Sequence, residues 1–223
     1  LWMRREKVYG PHYKAWVESE GQPMPDTLTP ARWQAKPRYQ IDHLRCMLAV
    51  DEGVGRITEL LSMQGRLDST IIIFMADNGW FLGEHRRQGD KRLAYEESIR
   101  VPFVIRYPRI VKPGIRLKGL AANIDIAPTL LELAGAEIPE TMQGESFVPM
   151  LEGTSAGRRD PFFYEYFQEE YAPGIPTILA IRTPEWKYID FPYESAAEGN
   201  FGELYHLSAD PHEMKNLIHS PEA

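Results

Sequence analysis

TIIIFMADNGWFLGEHRRQGDK, residues 70–91, begins as an unbroken β-branched and apolar run and turns polar at Asp77, Asn78 and Gly79. Its first seven residues lack polar alternation, the pattern of a strand buried on both faces of a parallel sheet. VPFVIRYP at 101–108 reads as the next strand, with loop and a short helix around YEESIR between the two. Ahead of the first strand, Leu44, Met47, Leu48, Val54, Ile57, Leu60 and Leu61 recur at helical spacing. They predict an amphipathic helix over about residues 38–66. Gly53 and Gly55 inside it lower helix propensity and would suit close packing on a sheet. A further helix is predicted over 126–134, stopping at Gly135. Helix, strand, crossover and strand together specify an α/β sandwich of doubly wound type.

Beyond residue 155 the texture changes. ILAIRT, WKYIDFP and GELYHL are short alternating or aromatic-rich runs separated by turn residues, closed by the polar tail DPHEMKNLI. They predict a small antiparallel sheet, giving an α/β domain over 1–155 and a C-terminal antiparallel α+β subdomain over 156–223. Residues 1–37 are rich in Pro, Trp and charge, and read as an extended surface segment with one early helix.

With 43% hydrophobic and 26% charged residues over 223 positions, the chain can bury a substantial core and is not a disordered polymer. A net charge of −7 leaves no broad basic face, which argues against nucleic acid or an anionic membrane as partner. The single cysteine, Cys46, excludes an internal disulfide framework. It falls within the amphipathic helix and reads as a buried core residue.

In open α/β sheets, ligands bind at the carboxyl ends of the strands, where Asp77 and Asn78 fall. A carboxylate beside an amide carbonyl offers hard oxygen donors suited to calcium or magnesium. Two ligands are fewer than the six to eight that calcium takes, so substrate, water or another part of the protein would complete the shell. Taken alone, Asp-Asn-Gly favours a plain strand-to-loop turn. Likewise Lys91 alone reads as a solvated surface charge and His85 as a hydrogen-bonded loop residue. Their clustering just past one strand end raises the functional reading.

The stretch TIIIFMADNGWFLGEHRRQGDKRLAYEESIRVPFVIRYP resembles the carboxyl-half signature of the sulfatases, members of the alkaline phosphatase superfamily. NIDIAPTLLELAGAEIP, MQGESFVPML, AIRTPEWKYIDFP and ELYHLSADPHEMKNL follow in the expected order, and AVDEGVGRITELL matches upstream. The resemblance covers roughly residues 38–218 and implies part of an alkaline-phosphatase-like α/β sandwich with the small C-terminal subdomain. It implies that Asp77 and Asn78 are calcium ligands and that Lys91 contacts the sulfate ester. By the same pattern His85 lies near the site, in a catalytic or a structural role, while Glu96, Glu97 and Arg100 fix the loop through ion pairs. His12, in VYGPHYKAW, is the candidate counterpart of a substrate-contacting histidine. The resemblance also implies a periplasmic or secreted address, although LWMRREKVYG lacks the apolar core of a signal peptide.

One departure qualifies the match. The family nucleophile is a formylglycine made from the first residue of a C/S-x-P/A-S-R motif, and these 223 residues contain no such motif. The expectation is a sulfuric ester hydrolase acting on sulfated carbohydrate, represented here by half of its site and inactive alone. A missing amino-terminal half or another chain would then cover apolar surface exposed along the sheet edge. Two further readings stand beside it. One is a phosphate or phosphonate ester hydrolase of the same superfamily, and the other a non-catalytic folded module.

Overall fold

The computed structural model describes residues 37–87, 91–117, 119–154, 161–172, 174–193 and 202–220. Two compact units emerge, and they do not follow chain order: Asn78–Arg100 clusters with Pro161–Ala223, while Ala35–Asp77 clusters with Val101–Asp160.

In the second of these units the amphipathic helix forms as α1 (Pro37–Met63). A single turn of 3₁₀ helix leads into β1 (Ile72–Met75), which pairs with β2 (Phe103–Arg106). The pair is antiparallel, with Ile73 opposite Ile105 and Phe74 opposite Val104, which corrects the expectation of parallel strands. An apolar run without alternation reports burial, not the direction of the neighbouring strand. Nor are the two strands buried on both faces: all four residues of β1 are half-buried and Val104 is 61% exposed. β1 has one strand partner among the described residues, so its faces are only partly covered.

Two expectations about α1 fail for a related reason. Cys46 is exposed, not buried. A Cβ added at Gly53 or Gly55 would meet nothing within 4 Å, so no close packing uses them. The apolar stripe of the helix lies open, with Leu44 63%, Leu48 65% and Met63 72% exposed. Helical periodicity marks which face is apolar, whereas a packed neighbour decides whether that face is buried.

The core of this unit instead gathers Val111, Phe147 and Leu151 with Phe103, Ile105, Ile110 and Ile126. It is anchored by α3 (Ile126–Leu133) and the short α4 (Val148–Leu151). Buried Asp125 accepts the backbone N–H groups of Ala122 at 2.8 Å and Glu145 at 2.9 Å. Gly144 lets the chain pass close to α3, since a Cβ there would lie 1.9 Å from the Ile124 carbonyl oxygen. At the other end, Gly135 takes φ +68 and closes the helix.

The other unit is built on a four-stranded antiparallel sheet in the order β3 (Phe162–Tyr166), β4 (Ile178–Arg182), β5 (Trp186–Asp190), β6 (Glu203–His206). Three of these strands coincide with the runs ILAIRT, WKYIDFP and GELYHL. Ile178, Ala180, Ile189 and Tyr205 from the sheet share one core with Phe81, Leu93, Ala94 and Tyr95. The polar loop after Asp77 thus owes its shape to strands about a hundred residues further along the chain. No helix among the described residues is long and apolar enough to cross a membrane.

Candidate active site

Past β1 the chain runs through Asp77, exposed, and Asn78, half-buried. Asp77 closes one unit, where its carbonyl oxygen accepts a hydrogen bond from Asn123 Nδ2 at 2.8 Å. Asn78 opens the other, and its Nδ2 donates to the Gly79 carbonyl at 2.7 Å. That bond turns the nitrogen end of the amide toward the backbone. Gly79 donates its N–H to Ser98 O at 2.7 Å, and a Cβ on it would lie 2.0 Å from Glu97 O. Only glycine permits that approach.

The turn carrying Ser98 is α2 (Glu96–Ile99), four residues long and held from several sides. Glu96 N–H donates to Glu213 Oε2 at 2.7 Å. The Glu96 carboxylate receives Arg182 Nε at 2.9 Å and Nη2 at 3.0 Å, with Lys187 Nζ 2.8 Å away. Burial works against the ionised form of Glu96, yet the Arg182 bonds and the Lys187 charge prevail and bring its pKa down to about 2. Lys187 also lies 2.8 Å from Glu213 Oε1. There burial dominates, and with Glu96 nearby it pushes the Glu213 carboxyl up to about 7 against the pull of the shared lysine.

His85 is 4% exposed, with φ 51 in the left-handed region that histidine tolerates better than most residues. Its ring stacks on Tyr95 at 4.1 Å and meets the edge of Phe81 at 5.9 Å. Nε2 lies 3.0 Å from Glu97 Oε2. Burial would raise the Glu97 carboxyl, but the bond to His85 outweighs it and holds the group below the usual carboxylate range. The sequence reading assigned the ion pairs of this turn to Glu96, Glu97 and Arg100. Glu96 and Glu97 make them, and Arg100 donates its backbone N–H to Glu96 O at 2.9 Å.

Lys91 is exposed, and its carbonyl accepts a 2.5 Å hydrogen bond from Ser98 Oγ. Beside it, Arg92 offers its carbonyl to Tyr164 OH at 3.0 Å and pairs its guanidinium with Glu169 at 2.8 Å. The backbone of 91–92 is therefore fastened while the Lys91 side chain reaches solvent. His12 lies outside the described residues.

His85, Glu97 and Glu213 form a group that could hold a metal ion, one ligand atom from each lying within 4.8 Å of the others. The Lys187 ammonium already stands against Glu213, and a second cation there would meet it in a low-dielectric interior. An ion-pair hub is the better account of this group. Asp77 is exposed and Asn78 half-buried, and each side chain carries a hard oxygen.

The clustering of Arg182, Lys187 and Glu213 around Glu96 was not visible in the sequence. Each comes from a different segment, and the paired charges that draw them together carry no local spacing. The motif residues Asn78 and Lys91 did stand out, because one loop carries both.

Comparison with known proteins places this geometry. The family description Sulfatase matches residues 8–136, and N-sulphoglucosamine sulphohydrolase, C-terminal, matches residues 83–223. An N-acetylglucosamine-6-O-sulfatase of Bacteroides thetaiotaomicron is 40% identical over 188 residues, covering 83% of this chain and 33% of that protein. A solved structure described as a complex with its substrate D-glucosamine-2-N,6-O-disulfate superposes with TM-score 0.78 at 34% identity, covering 96% of this chain and 42% of that one. The phosphonate monoester hydrolase of Agrobacterium radiobacter superposes with TM-score 0.64 at 30% identity, over 78% of this chain and 37% of that one. The fold is alkaline-phosphatase-like, and the chain belongs to the sulfatase family. It spans about a third of the length of the curated relatives it matches.

Proposed function

We propose that this chain supplies one wall of an active site that hydrolyses the sulfate ester of a sulfated carbohydrate. The observation that carries the proposal is the likeness to two proteins whose descriptions name sulfated or sulfate-cleaved glucosamine, one of them over 96% of this chain. Lys91 is the cation that neutralises charge on the sulfate oxygens as the S–O bond breaks, and the fastened backbone beneath it limits where its ammonium can go. Asp77 and Asn78 would hold calcium, which would supply positive charge to offset that of the nucleophile and the sulfate. His85 serves the site from inside the core by holding Glu97, and His12 is the further candidate for substrate contact.

These residues supply binding and charge stabilisation, and the family's C/S-x-P/A-S-R nucleophile motif is not among these 223 residues. The isolated chain therefore gives no turnover and binds calcium weakly, with formylglycine and the other metal ligands supplied by additional protein. The open apolar stripe of α1 supports the same reading, since another segment or chain seated on Leu44, Leu48 and Met63 would bury it.

The test is hydrolysis of an aryl sulfate and of glucosamine 6-sulfate by the full-length protein that carries this chain. Lys91→Ala is expected to lower kcat by about 10²–10³-fold. Unchanged turnover in that variant, or turnover of aryl sulfate by the isolated chain that Lys91→Ala abolishes, overturns the proposal. A second reading, phosphonate monoester hydrolysis, is favoured by the superposition on the Agrobacterium enzyme. A kcat/KM for a phenyl phosphonate monoester above that for the sulfate would select it.

A further inference from the structure

Ser98 stands where the two halves of the motif loop meet. Its carbonyl oxygen accepts the Gly79 N–H at 2.7 Å, one residue beyond Asn78, and its hydroxyl donates to the Lys91 carbonyl at 2.5 Å. Ser98 itself is buried, 2% exposed, which holds its hydroxyl to the partner it has. On one side the path is shaped for this contact, because Gly79 passes so near Glu97 O that a side chain is excluded. On the other side the turn bearing Ser98 cannot drift. Glu213 holds its first N–H, Arg182 and Lys187 hold the Glu96 carboxylate, and His85 holds Glu97.

We propose that Ser98 is a positioning residue for sulfate ester hydrolysis, setting the spacing between the backbone that carries Asn78 and the backbone that carries Lys91. The proposal rests on the sulfatase reading above. Its physical content is that a lysine fixed at the correct distance from the reacting sulfate stabilises developing charge, whereas one on a loose loop spends part of that interaction on being ordered. Ser98 acts through the two groups it bonds, the Lys91 carbonyl and the Gly79 N–H. The remainder of the buried network, out to Lys187 and Glu213, then functions as the rigid backing of the motif loop.

The experiment is a double-mutant cycle in the full-length protein carrying this chain. Ser98→Ala removes the donor, and Ser98→Cys keeps the size with a far weaker donor. Each is expected to lower kcat and kcat/KM together by about tenfold, the value of one buried hydrogen bond, with the thermal midpoint retained in Ser98→Cys. In a Lys91→Ala background the same substitutions are expected to change kcat by less than about twofold, because the group they position is gone. A full tenfold loss in that background overturns the proposal, since it marks a general structural role. Wild-type kcat in both Ser98 variants also overturns it, and leaves the sulfatase reading standing if Lys91→Ala is impaired. Normal turnover in Lys91→Ala overturns the sulfatase reading itself. Amide exchange on the 223-residue chain gives a readout free of activity. Ser98→Ala removes the hydroxyl that holds the Lys91 carbonyl and keeps the carbonyl that holds Gly79, so exchange should speed at Lys91 and Arg92, and unchanged exchange at both overturns the proposal.

Discussion

The carboxylate of Glu213 accepts the backbone N–H of Glu96 at 2.7 Å, across 117 residues of chain. The C-terminal tail thereby clamps the turn behind the motif loop. Between these two carboxylates sits one ammonium, Lys187, which is fully buried, and that arrangement governs the response of the unit to pH.

Glu213 has a folded-state pKa near 7, above the ordinary 4.5, so between those values the folded state holds more protons than the unfolded state. Stability from this group is therefore full below about pH 4.5 and falls as pH rises through 7, by at most about 3 kcal/mol. Glu96 acts in the opposite sense. Its pKa near 2 gives stability that is present above 4.5 and lost as pH falls toward 2. Urea midpoints measured from pH 3 to 8 should peak near pH 5, and Glu213→Gln should flatten the alkaline limb. A wild-type midpoint that rises steadily from pH 5 to 8 would contradict the assignment.

Removing the shared ammonium should be severe. Lys187→Met takes the cation from buried Glu213, which must then be ionised without a partner or take up a proton, and leaves Glu96 with Arg182 alone. The expected loss at pH 7 is about 3–5 kcal/mol, as for other buried pairs broken from one side. Part of it should return at pH 5, where Glu213 is protonated, and denaturation of the variant at both values checks this.

Two glycines should respond in opposite directions to alanine. Gly79→Ala drives a methyl to 2.0 Å from Glu97 O, and is expected to cost more than about 2 kcal/mol and to loosen the motif loop. Gly53→Ala meets nothing within 4 Å inside α1, and should stabilise that helix by about 0.5–1 kcal/mol. Thermal unfolding of the two variants in parallel decides the matter.

Exposed Cys46 should react with a thiol reagent in the native chain, at a rate close to that in denaturant. Protection by an order of magnitude or more would show that something covers this face of α1 in solution.

Much of the local structure was legible. Helical spacing of Leu44 through Leu61 marked α1, alternation marked β4 to β6, and Gly135 marked the end of α3. Asp77, Asn78 and Lys91 stood out because their residue types lie close together behind one apolar strand. Such features depend on neighbours within a few positions, and the side-chain periods of helix and strand write them directly into the order of residues.

Other features depend on partners far away in the chain. The antiparallel pairing of Ile73 with Ile105, the exposure of Cys46 and the gathering of Glu96, Arg182, Lys187 and Glu213 around one turn have no local signature. An apolar run states that a surface is to be covered, and leaves open from which direction and by what. A lone lysine or glutamate is a solvated charge until the fold removes its water, at which point it must find an opposite charge. Ser98 shows the same limit. In sequence it is one polar residue in YEESIR, and only burial between Gly79 and Lys91 turns its two hydrogen bonds into the tie that spaces the motif loop.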